Sequence, residues 1–97
     1  MAQLPANAQP YRRTETFTES TVPAGLLRAH TTKEGAWALI YVLTGRLRYQ
    51  ITDPRRPAAE TVFTPADPPG VVEPTILHQV EPLGPVEFYV EFHRLQE

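Results

Sequence analysis

Eleven of the 97 residues are proline, roughly twice the average share of about 5%, and nothing else in the sequence constrains the fold as strongly. An internal proline removes a backbone hydrogen bond from a helix and clashes with the preceding turn. Long helices are therefore excluded, and no window places apolar residues at helical spacing. Between the prolines lie short stretches rich in Val, Ile, Thr, Phe and Tyr, bounded by Gly, Pro and Asp, the pattern of an all-β domain. Strands are predicted over 14–18, 26–32, 36–43, 46–52, 60–64, 70–73, 76–81 and 86–94. Eight short strands in one chain suggest a sandwich or barrel.

Two stretches add detail. VLTGRLRYQI predicts a hairpin: Thr44-Gly45 supplies the tight turn, and the second strand alternates Leu47, Tyr49 and Ile51 against Arg46, Arg48 and Gln50, which leaves one face wet. AWALIYVL is apolar on both alternating faces, so it needs covering on both sides. In so small a domain the inner cover is a second sheet, and the outer cover is expected to be another subunit, giving a homodimer. TDPRRPAAE and TPADPPG read as loops, the first mobile. Residues 1–10 read as a flexible N-terminal arm and residues 11–97 as the single folded domain.

Composition removes several functional classes. A net charge of −2 supplies no general attraction for nucleic acid or anionic membrane. The pairs Arg12-Arg13 and Arg55-Arg56 read as solvated loop charge. With no cysteine there is no disulfide, no thiolate nucleophile and no Cys-based metal site. The N-terminal residues lack the apolar region of a signal peptide, and no run of 18 apolar residues occurs, so a soluble, cytoplasmic protein is expected. The lone Ser20 lies in a polar stretch without a nucleophile elbow, and the glycines at 25, 35, 45, 70 and 84 form no phosphate-binding cluster.

The three histidines carry the remaining chemistry. In ILHQVE, alternation puts Ile76, His78 and Val80 on one face, so His78 points inward. It is either a neutral core imidazole satisfied by a carbonyl or hydroxyl, or a ligand. His30 shares a polar row with Arg28 and Thr32 and could lie on the surface. His93 follows the apolar row Val86, Phe88, Val90 and Phe92, on the opposite row with Glu87, Tyr89 and Glu91. If the apolar row faces the interior, Glu91 and His93 face solvent; if it makes a subunit interface, both face the cavity as candidate metal ligands.

The segments HTTKEGAWALIYVLTGRLRY (30–49), VFTPADPPGVVEPTILHQVEP (62–82) and VEFYVEFHR (86–94) resemble the small cupin-like family named for the N-terminal domain of bacterial tellurite-resistance protein B. The resemblance covers about residues 11–94 and implies a double-stranded β-helix, a cupin-like jelly-roll barrel. It aligns His78 with the histidine of the second cupin motif and His30 with one of the first. Thr32 stands where a second first-motif histidine would be, and Ala38 about where the glutamate would be. The sequence stops after this domain, so the methyltransferase domain that follows it in some relatives, and methyl transfer with it, are not expected.

The resulting expectation is a cupin-like domain that binds a divalent metal (zinc, iron, manganese or nickel) through His30 and His78. Glu91, His93, Glu73 or water would complete the site. Lys33 and Glu73 are candidate contacts to a small anionic ligand, in a stress or tellurite/metalloid response. The alternatives are a metal-dependent cupin-type enzyme acting on small molecules, and a metal-free binding or interaction domain in which the histidines are structural.

Overall fold

A computed structural model describes residues 3–96. The chain is all-β apart from one 3-10 turn: β1 (Ala8–Arg13), β2 (Phe17–Thr18), the turn at Ala24–Leu27, β3 (Trp37–Thr44), β4 (Leu47–Ile51), β5 (Ala59–Phe63), β6 (Gly70–Val72), β7 (His78–Pro82) and β8 (Glu87–Leu95). The strands form two antiparallel sheets. One runs β1-β8-β3-β6 with β2 also paired to β8, and the other runs β5-β4-β7. The Cα radius of gyration, 12.7 Å, matches the about 12.5 Å of a compact domain of this length.

The prolines mark where the chain changes sheet. Pro65, Pro68 and Pro69 lie between β5 and β6, Pro74 between β6 and β7, and Pro85 between β7 and β8. Pro10 and Pro82 do occur inside strands, but β1 and β7 are edge strands, where a missing amide donor costs the ladder least. The β1 register also shifts between Pro10 and Arg12.

The expected hairpin at Thr44-Gly45 does not form, although both of its strands do. β3 pairs with β6 and β8, whereas β4 pairs with β5 and β7, so Gly45 turns the chain from one sheet into the other. Its φ of +79° suits glycine, and an added Cβ would run into the Pro85 carbonyl oxygen and come within 2.9 Å of Val86 Cα. Local sequence signals a tight turn equally for a hairpin and for a corner. The choice was made by β3, whose inner and outer apolar rows suit a central position between β8 and β6.

Three further expectations change. Residues 26–32 are not a strand: the 3-10 turn covers Ala24–Leu27 and only His30 makes an isolated bridge. Residues 8–10, placed in the arm by sequence, are paired in β1 with Leu95, Arg94 and His93. The loop at 52–58 is held down rather than loose. Buried Asp53 accepts hydrogen bonds from the Arg55 amide (2.8 Å), Arg55 Nε (3.0 Å), Arg55 Nη2 (2.9 Å) and the Leu77 amide (2.9 Å). Those donors hold its carboxyl well below the usual aspartate range, the Arg55 side chain contributing most. Arg55 and Arg56 are accordingly not free solvated charge, since Arg56 bonds Glu73 through Nε (3.2 Å) and Nη2 (2.8 Å).

The core lies between the sheets. Ala38, Ile40, Val72 and Phe88 face Leu47, Tyr49 and Val80, with Phe17 and Val86 closing the cluster. On β4 the buried residues are Leu47 and Tyr49, while outward Arg48 bonds Glu81 (2.7 Å) and Gln50 bonds Glu60 (3.0 Å), which is the alternation the sequence predicts. No helix among the described residues is long and apolar enough to cross a membrane.

Candidate functional site

Two of the three histidines meet. The His30 amide donates to the His78 carbonyl (2.9 Å) and the His78 amide to the His30 carbonyl (3.0 Å), which places the two side chains beside each other. Their rings pack edge to face with centroids 4.1 Å apart. His78 is buried between Ile76 and Val80, as alternation along the strand predicts, and Tyr49 covers it at 5.6 Å. Its proximity to His30 comes from the pairing of distant segments and has no local signal.

Hydrogen bonding fixes the tautomers. His30 Nδ1 lies 2.9 Å from the Arg28 carbonyl and His78 Nδ1 lies 2.8 Å from the Ile76 carbonyl. A carbonyl only accepts, so each Nδ1 carries a proton, and in the neutral imidazole it is Nε2 that offers a lone pair. Burial pushes the His78 imidazole down to about 4; the Ile76 carbonyl opposes that shift, and nearby His30 adds to it. At neutral pH His78 is therefore an uncharged acceptor.

Both histidines line a cavity of about 560 Å³ between the sheets. Its walls are the inward apolar side chains of β3, β6, β7 and β8, including Ile40, Val72, Val80 and Phe88, and Arg12 and Lys33 are at its rim. Among the described residues no acidic side chain lines it. Lys33 has no ion-pair partner among the described residues, and Arg12 lies over the Phe92 ring at 5.7 Å. Arg12 was missed in the sequence because its strand was read as an arm and loop. The cavity thus offers two lone pairs, an apolar body and a positive rim, and it can take a small molecule that donates a hydrogen bond to imidazole.

The other candidates lie elsewhere. The apolar row of β8 does face inward, with Phe88, Val90 and Phe92 on the cavity wall. His93 is nevertheless buried on the opposite face of the sheet, 2.7 Å from Glu91, and does not join His30 and His78. Glu73 bonds Arg56 and lines a separate cavity, so it cannot act with Lys33. Among the described residues no group of three or more His, Cys, Asp or Glu side chains is gathered where it could hold a metal ion.

Comparison with known proteins shows the family. The TehB-like domain model matches residues 12–90. The chain belongs to the TehB-like domain family. This TehB-like domain is 35% identical over 75 residues to a Haemophilus influenzae protein named probable S-adenosyl-L-methionine-dependent methyltransferase TehB; the match takes in 76% of this chain and 26% of that one. The same protein from a second H. influenzae strain is 34% identical over the same share. The crystal structure of TehB from H. influenzae superposes with a TM-score of 0.84 at 28% identity, covering 93% of this chain and 32% of that chain. A protein from Escherichia coli strain K12 matches over 100% of both chains with a TM-score of 0.86, and at 23% identity it shows the fold alone. The domain thus spans about a quarter to a third of the TehB proteins it matches.

These relatives overturn the metal-binding expectation. They are named as probable S-adenosyl-L-methionine-dependent methyltransferases, not metal-binding cupins, and the four expected ligands are split between His30 with His78 between the sheets and Glu91 with His93 on the far face of one sheet. The divalent metal, and the function built on it, are withdrawn. The sequence misled here because matching His30 and His78 to cupin motifs says nothing about the two motif positions filled by Thr32 and Ala38.

Proposed function

We propose that this TehB-like domain is an acceptor-binding module of S-adenosyl-L-methionine-dependent methyl transfer. The observation that carries the proposal is the His30–His78 cavity: two imidazoles with free Nε2 lone pairs inside an apolar chamber of about 560 Å³. A methyl acceptor must present a lone pair, and an acceptor that arrives protonated can donate its O–H, N–H or S–H to a histidine here. The apolar walls keep water from competing. Arg12 and Lys33 at the rim favour an electron-rich molecule and raise its local concentration.

The cavity does not fit S-adenosyl-L-methionine itself. That molecule carries a sulfonium and an ammonium group, whereas this lining has two cationic side chains and no carboxylate. The methyl donor therefore belongs to another part of a complete methyltransferase. In the same reading the two sheets form a cupin-like jelly roll, a double-stranded β-helix, supported by a chain that changes sheet at four of the five connections from β3 to β8, the β4–β5 hairpin being the exception. The outer face of β3 carries Trp37, Leu39 and Tyr41, with exposed Leu43 beyond. Tyr41 stacks on Tyr89 at 4.8 Å, and a second copy offering the same face would complete a homodimer. Light scattering near 22 kDa, twice the 10.9 kDa chain, supports the pair, and a monomer mass at micromolar concentration removes it.

The functional test is an exchange. This domain replaces the matched segment of H. influenzae TehB, and S-adenosylhomocysteine formation is followed with tellurite, the compound in the family's name, as acceptor. Activity above that of the segment-deleted protein supports the module. Equal rates for the exchanged and deleted proteins overturn it.

A further inference from the structure

A second cavity, of about 820 Å³, opens on the other edge of the sandwich, between β5 and β6. Its walls are aromatic: Trp37, Tyr49 and Phe63, joined by Ile51 and Ile76. Tyr49 and Phe63 stack with centroids 5.4 Å apart and planes 28° from parallel. The tip of the Phe63 ring sits against Gly70, where an added Cβ would run into it. The wall is therefore shaped by a glycine that admits a ring.

One polar group on this wall has no partner. The Tyr49 residue is only 6% exposed, but its hydroxyl makes no hydrogen bond among the described residues and stays reachable from the cavity it lines. Burial, with a smaller contribution from Glu73 nearby, pushes the phenol up to about 12, so the hydroxyl is a neutral donor at all physiological pH. A hydroxyl facing a cavity gives its proton to water or to a ligand that brings an acceptor. The charged groups of the cavity are already committed: Arg56 holds Glu73 at 2.8 Å, and Asp67 accepts from the Thr64 amide at 2.8 Å. The strap carrying Arg56 is fixed by Asp53, and Arg55 bonds the carbonyl of Thr75, a residue at φ 66° beside the cavity. Rigid aromatic walls, a paired Arg56 and Glu73, an Asp67 held by Thr64 and one free donor define the chemistry of the occupant.

We propose that this cavity is a second ligand site, distinct from the His30–His78 chamber, which takes an uncharged planar aromatic molecule whose single acceptor oxygen or nitrogen receives the Tyr49 hydroxyl. The ring stacks among Trp37, Tyr49 and Phe63. The site needs no charge from the ligand, because Arg56 and Glu73 satisfy each other.

The test uses benzamide, a flat ring with one carbonyl, and cyclohexanecarboxamide, which keeps the head but not the flat ring. Trp37 is the only tryptophan, so its emission reports on this wall, and two-dimensional NMR of the labelled protein locates the contacts. Benzamide is expected to shift Trp37, Tyr49 and Phe63 resonances saturably, with cyclohexanecarboxamide at least tenfold weaker. Tyr49→Phe, which keeps the ring and removes the donor, is expected to weaken benzamide about fivefold, the worth of one hydrogen bond. Gly70→Ala, which displaces the Phe63 ring, is expected to abolish the shifts while thermal unfolding remains cooperative. Lys33→Gln at the rim of the other chamber is expected to leave them unchanged, which separates this site from the proposed acceptor site. Equal binding of both probes, shifts confined to His30 and His78, or full affinity in Tyr49→Phe would each overturn the proposal.

Discussion

Acidification should weaken this domain over a pH range set by one buried imidazole. His78 titrates near 4 when folded, against an ordinary value of 6.5 when the chain is unfolded. Between those values the unfolded chain binds a proton that the folded one refuses, so stability falls as pH falls from about 6.5 to about 4 and this contribution is flat on either side. A separation of about 2.5 pH units corresponds to roughly 3 kcal/mol in full, of which about 2 kcal/mol is lost between pH 7 and pH 5. That is a large share of the roughly 5–15 kcal/mol available to a domain of this size. The carboxyls of Glu19, Glu73 and Asp53 are held below their ordinary values, so their contributions are lost only at lower pH. Urea unfolding followed by Trp37 emission at pH 7, 6, 5.5 and 5 should show the midpoint falling by about 1–2 M over that range, given a slope of about 1–2 kcal/mol per M. His78→Gln should be less stable at pH 7 and much flatter with pH. A variant whose midpoint follows the native slope, or a His78 imidazole that titrates near 6.5 by NMR, would refute the reasoning.

Three further outcomes follow from the packing. Gly45→Ala meets both a left-handed backbone and the Pro85 carbonyl, and should cost more than about 3 kcal/mol in urea unfolding; a loss under about 1 kcal/mol would mean that the corner relaxes freely. Phe88→Ala empties the centre of the core, where Phe88 is 1% exposed and stacks edge-on with Phe17 at 5.6 Å, and should cost about 3–5 kcal/mol by the same assay. Asp53→Ala removes the acceptor that ties the 52–58 strap to Leu77, so hydrogen exchange of the Arg55 and Leu77 amides should quicken while the β3 and β8 amides stay protected; unchanged exchange at both sites would show that the strap is held by something else.

The sequence made the strand content legible because proline spacing and period-two alternation are local signals. β4 and β7 came out with the correct faces inward, including His78, since a strand with one wet face and one dry face has a single reading, whereas β8, with both rows partly apolar or titratable, allowed two. Pairing was less legible. The Thr44-Gly45 turn carries the same chemistry at a hairpin and at a corner between sheets, and only the competition of β6 and β8 for β3 distinguishes them. The first strand was missed because Pro10 and two arginines look like loop, although an edge strand tolerates all three. His30 and His78 were chosen correctly as neighbours, while Glu91 and His93 were not, because the far face of the sheet buries His93 without bringing it to the cavity. The strap at Asp53 and the aromatic cavity beyond it depend on contacts between residues some 20 positions apart, which no local pattern announces.

The acceptor-module account is tested most directly by steady-state kinetics of the exchanged H. influenzae protein, with and without His78→Gln in the grafted domain. The account predicts that this substitution raises KM for the acceptor severalfold and leaves KM for S-adenosyl-L-methionine unchanged, because the histidine contacts only the molecule that receives the methyl group. An unchanged acceptor KM, or a change confined to S-adenosyl-L-methionine, would contradict it.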